Sequence, residues 1–170
     1  MQGRCRRCFL IAIIVAAPAW AVRASAQQEG GLLQDIRREI GAVFSDEEIC
    51  DRYVERFDRV GSEGSALLLG YHGAVRMARG RHAFDPLSRL VHFNGGKAML
   101  EKAIAQDLAN AELRFLRLSI QVNVPSIVGY DANRTEDLAL VERKLKDVKD
   151  PALKDRITRF IATNRANGKL

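Results

Sequence analysis

Apolar side chains recur at helical intervals almost throughout this chain. Leu33, Ile36, Ile40 and Val43 follow one another at steps of 3, 4 and 3 residues, the stripe of an amphipathic helix. Ser45-Asp46-Glu47-Glu48 reads as a capping box, in which the Ser45 hydroxyl accepts from the third helical N–H and Glu48 reaches back. It opens a second helix with Ile49, Tyr53, Phe57 and Val60 inward, and Gly61 and Gly64 bracket the break that follows. A third helix over residues 65–81 carries Leu67, Leu68, Tyr71, Ala74, Val75 and Ala78. Gly70 and Gly73 lower its helix propensity, which predicts a close approach of a neighbour's backbone.

Asp85-Pro86, a cap followed by proline at the first helical position, starts the next helix. Asn94-Gly95-Gly96 is expected to break or kink it, with Met99, Leu100, Ala103 and Ile104 on a further helix over 97–106. Asn110 caps a helix beginning near Glu112 that Pro125 ends. Leu138, Val141, Leu145 and Val148 form another stripe, and Asp150-Pro151 opens the last helix, with Leu153, Ile157, Phe160 and Ile161 as its core face. No segment alternates with period two over a strand's length. The pattern predicts an all-α chain of about seven antiparallel helices, with residues 32–170 forming one domain.

The helix from Glu112 has an unusual cross-section. At roughly 100° per residue, Leu113, Leu116, Ile120 and Val124 share one apolar face, and Phe115, Leu118 and Val122 a second, nearly opposite. A helix apolar on two sides is covered on both, so it belongs inside a stack. Ser119 and Asn123 form one polar seam between the faces; Arg114, Arg117 and Gln121 form the other. Arginine beside two apolar faces needs a partner, because an unpaired buried charge is costly. Glu101, Glu136 and Asp137 are the internal candidates. An external carboxylate or peptide C-terminus, held bidentately, is the other occupant that fits.

The first residues are of another kind. MQGRCRR is basic, CFLIAIIVAAPAWAV is an apolar stretch of about 15 residues, and Ala24-Ser25-Ala26 is an A-x-A site. Together they predict a signal peptide over 1–26, cleaved after Ala26, a periplasmic or secreted product with no transmembrane segment, and a tail at 27–31. Cleavage would discard Cys5-Arg6-Arg7-Cys8 and leave Cys50 as the only cysteine, so no internal disulfide. It would also remove four arginines and no acid, lowering 27 bases against 21 acids to a net charge of +2. Near-neutrality gives no reason to expect a nucleic-acid partner.

The run GKAMLEKAIAQDLANAEL, residues 96–113, resembles the second helix and inter-repeat turn of a tetratricopeptide repeat. Gly96 and Ala103 take its small positions, Leu100 a large apolar one, and residues 107–110 the turn. Leu108, in place of that family's proline, and Arg114, in place of an aromatic, depart from its pattern. The resemblance covers about half a repeat and implies a tetratricopeptide-like helical array that binds proteins or peptides. More widely, the chain resembles small secreted helical bacterial proteins of unassigned function.

Catalytic signals are few. His72, His82 and His92 lack the i,i+4 spacing with which one helix grips a metal, and they read as surface residues. Cys50, near a core edge, reads as a structural thiol rather than a nucleophile. No nucleophile elbow, zinc-binding helix, phosphate loop or dinucleotide fingerprint is present, and no cofactor or metal is expected. Arg76, Arg79, Arg81 and Arg89, with Lys97, make a basic stretch opposed locally only by Asp85. It suits an acidic partner or a weak contact with an anionic envelope surface; equally, it is a solvated face balanced by the acids between Asp46 and Asp58. The function expected is an exported protein or peptide interaction module. The alternative is a small anion- or carboxylate-binding protein or enzyme using Arg114, Arg117 and Gln121.

Overall fold

The computed structural model describes the backbone of residues 19–170 and the side chains of residues 27–170. The expected signal peptide therefore lies outside the described side chains, and residues 1–18 outside the described backbone. Seven α-helices follow in order: α1 (Ala19–Ser45), α2 (Glu47–Val60), α3 (Ala66–His82), α4 (Pro86–Gln106), α5 (Ala111–Asn123), α6 (Arg134–Lys144) and α7 (Pro151–Ala166). Single 3-10 turns, Ser126–Val128 and Leu145–Asp147, join α5 to α6 and extend α6. There is no strand among the described residues, so the fold is all-α. None of the described helices is long and apolar enough to cross a membrane.

Side-chain caps set most of the helix starts. Asp85 accepts from Ser88 N, Asn110 from Glu112 N and Leu113 N, and Asp150 from Ala152 N and Leu153 N. The capping box before α2 is displaced by one residue. Asp46 is the cap, accepting from Ile49 N at 3.0 Å, while Ser45 ends α1 and donates to Ala42 O. A carboxylate there also meets the positive end of the helix dipole, which a hydroxyl does not exploit. Residues 27–31, expected as a tail, are helical within α1 and exposed except for the half-buried Glu29.

Asn94-Gly95-Gly96 does not break its helix. α4 runs unbroken through it because the glycines are needed for contact rather than for a turn. α3 and α4 form an antiparallel hairpin in which backbone meets backbone: a Cβ on Gly73 would lie 2.6 Å from Gly96 O and 2.9 Å from Leu100 N. A close approach at Gly73 was the expectation; its partner at Gly96 is what the turn reading concealed.

α5 lies between two cores, as its two apolar faces require. Leu113, Leu116 and Ile120 join the larger core with Ile36, Tyr53 and Phe57. Phe115 joins the smaller one with Val141, Leu153, Ile157 and Ile161. Every residue from Glu112 to Leu118 is buried. The stripe expected over 138–148 is only partly helical, since α6 ends at Lys144; Leu145 and Val148 cover the smaller core from the turn beyond it.

Candidate functional site

The arginine seam of α5 is closed from within. Arg117 Nε and Nη2 donate to the two oxygens of Asp137, each at 2.7 Å, and Nη1 donates to Glu101 Oε2 at 2.7 Å. Arg114 Nη1 donates to Asp137 Oδ1 at 2.9 Å and to Glu136 Oε1 at 3.0 Å, and its Nε reaches Leu108 O. Tyr130 donates to the free oxygen of Glu101 at 2.6 Å, while Lys97 lies over the Tyr130 ring. Five donor contacts converge on two carboxylates, of which Asp137 is fully buried and Glu101 partly exposed. Burial opposes the charge of Arg117, but these carboxylates outweigh it and hold the guanidinium above its ordinary pKa. Gln121, one turn on and 2% exposed, has no hydrogen-bond partner on either amide atom.

A second buried ionic group was not foreseen. Glu112 accepts from Arg37 Nε and Nη2, both at 2.6 Å, and from Tyr71 Oη at 2.8 Å. Burial, then the adjacent Glu112 carboxylate, push the Tyr71 phenol well above its usual pKa, so it stays a donor. Nothing local points from residue 37 to residue 112; only the tertiary fold, which packs α1 and α5 each against α3, joins them.

The other polar seam is where the molecule opens. Ser119 and Asn123 face a groove of about 490 Å³ between α1, α3, α5 and α7. Its walls are apolar and aromatic: Ile40 and Phe44 from α1, Phe115, Leu116 and Ile120 from α5, and Phe160 from α7. Arg38, Arg81 and Arg156 line it too, and no acid does. Arg81 appeared in the sequence only as part of the basic stretch. Arg156 and Phe160 stand i,i+4 on α7, a spacing that puts them on one face and was the available signal.

Of the basic stretch, Arg76 and Arg79 line one cleft and Arg79 and Arg89 another, both shared with acids, while Arg81 stands apart. Arg79 pairs with Asp51 of the acidic α2, Arg76 lies against Gly95, Arg89 donates to Ala83 O, and Arg81 lines the groove. The histidines are less exposed than expected. His72 stacks on Phe57 with ring centroids 4.8 Å apart and pairs with Ser62, and His82 meets Val43 O. Cys50 is fully buried, and burial, with Asp51 nearby, pushes its thiol up to about 11. No group of three potential metal ligands occurs among the described residues.

Six of the seven large exposed apolar side chains among the described residues lie at the start of α4 or in the loop fastened to it, Leu108 being the other. Phe84 precedes α4 and is 99% exposed, and Leu87, Leu90 and Val91 follow on its outer face. Ile127 and Val128 belong to the loop that Tyr130 fastens to α4 through Phe93 and Glu101. On a helical wheel, Leu87, Leu90, Val91, Asn94 and Ala98 lie opposite the buried Gly96, Leu100 and Ala103. The outer face of α4 is thus uncharged for about three turns. Compared with protein-family models, characterised proteins and solved structures, the chain finds no match in any of the three.

Proposed function

We propose that this chain is an exported, helical-repeat-like protein-interaction module whose partner docks on the outer edge of α4. The observation that carries this reading is the row of Phe84, Leu87, Leu90 and Val91 at the start of α4, with Ile127 on the loop that Tyr130 fastens to that helix, all more than half exposed. Single exposed leucines are ordinary, but a contiguous apolar surface on a water-soluble domain marks a place of association. Its position supports the same reading. In a tetratricopeptide-like array each helix is covered by the next, and α4 presents toward solvent the kind of face that another helix would cover. The A-x-A site at residues 24–26 supports export.

The experiment is partner capture from a periplasmic extract by the exported chain, whose mass should be that of residues 27–170. Leu87→Asp with Ile127→Asp should abolish capture while leaving the melting temperature unchanged, because exposed substitutions cost within about 0.5 kcal/mol. A partner retained equally by the wild type and this variant would show that α4 is not the docking face. Concentration-dependent dimerisation that the variant removes would identify the partner as a second copy.

A further inference from the structure

We infer that the groove between α1, α3, α5 and α7 is a binding site for an amphipathic carboxylate, an apolar chain or ring ending in a single anionic head. Its volume of about 490 Å³ lies within the range of small-molecule sites, roughly 300–1,000 Å³. Phe44, Phe115, Leu116, Ile120 and Phe160 supply the apolar walls such a body requires. The site is independent of the α4 edge and shares none of its exposed apolar residues.

The polar inventory selects the head group. Tyr71 Oη is engaged by Glu112, Ser119 Oγ donates to Leu116 O, and Asn123 Nδ2 donates to Ser119 O. Arg38 pairs with Asp35. Arg81 and Arg156 make no ion pair among the described residues, and none of the groove's lining residues is an acid. Two guanidiniums therefore remain as uncommitted cationic donors beside an apolar cleft. A guanidinium matches a carboxylate geometrically, with two parallel N–H···O contacts, whereas a cationic or neutral head would leave both unanswered. A ligand's charge completes this site, as Asp137 completes the opposite seam of α5.

Calorimetric titration with octanoate, octanol and octylammonium separates head group from chain, since all three carry the same eight-carbon body. Octanoate should bind saturably at one site, and octanol and octylammonium at least about tenfold more weakly. Arg81→Gln with Arg156→Gln should reduce octanoate affinity by roughly tenfold or more and leave octanol unchanged. Ser119→Phe, which fills the groove from its floor, should abolish octanoate binding with the helical circular dichroism retained. Equal affinity for the three probes, or octanoate binding untouched by both variants, would overturn the assignment. So would the absence of any octanoate binding to the wild type.

Discussion

Arg117 uses all three guanidinium nitrogens on carboxylates, whereas Gln121, one turn further along the same seam, uses none of its amide atoms. The two residues look alike on a helical wheel and should respond oppositely to the same substitution. Arg117→Met leaves the fully buried Asp137 with Arg114 as its one remaining guanidinium and Glu101 with Tyr130 alone. Breaking a buried pair from one side costs on the order of 3–5 kcal/mol. Gln121→Met instead removes a buried amide without partners and keeps the side chain's volume, so stability should hold or rise by about 1 kcal/mol. Thermal melting of both variants is the check. A wild-type melting temperature for Arg117→Met would show that the ion cluster is not structural, and a drop for Gln121→Met would show that its amide is hydrogen-bonded. This seam was legible in the sequence: Glu101, Glu136 and Asp137, the internal partners expected for the arginines, are the ones they meet. The Arg37–Glu112 pair was not legible, because 75 residues separate its members and no periodicity spans that distance.

At the scale of elements, local chemistry read the helix starts well and misread one glycine pair. Caps are decided within four residues, so Asp85, Asn110 and Asp150 announce themselves. Asn94-Gly95-Gly96 has the composition of a turn, and what keeps it helical is α3, some twenty residues earlier in the chain. Gly96 and Gly73 allow the two helix axes to approach, each occupying the space that the other's side chain would need. Gly96→Ala follows as a test. Alanine is the better helix former by about 1 kcal/mol, so an exposed turn or unpacked helix would gain stability from it. Here the added methyl meets Gly73 O and comes within 2.7 Å of Met77 Cγ, so α3 and α4 must separate. Overpacking of this kind costs about 1–3 kcal/mol. Net destabilisation in urea unfolding is expected, and a stabilised Gly96→Ala would mean that the hairpin is looser than described.

Across the whole molecule, the two faces of α5 divide the apolar interior unequally. Twenty buried apolar residues make the larger core around α1 to α5, and five make the smaller one beneath α6 and α7. The division itself was legible, since two opposite apolar faces demand two cores. The groove was not, because its lining comes from four helices and its arginines are ordinary surface residues in any single stretch. The inequality sets where the fold opens first. α7 is held by Leu153, Ile157, Ile161 and the edge-to-face contact of Phe160 with Phe115, and its partner α6 is anchored separately through Asp137. Its amides should therefore exchange with solvent through a local opening of lower free energy than global unfolding, while those of α3 and α5 exchange only globally. Ile157→Ala removes a fully buried side chain and should cost about 2–5 kcal/mol at its own site. That loss should appear as faster exchange in α7 at low denaturant, with the α3 amides slowed or quickened only by the change in global stability. The same opening would carry Arg156 and Phe160 away from α5, so the groove wall and the least stable helix are one element. Native-state hydrogen exchange read helix by helix decides it. Equal opening free energies and equal denaturant dependence for α3 and α7 would mean that the two cores unfold as one unit.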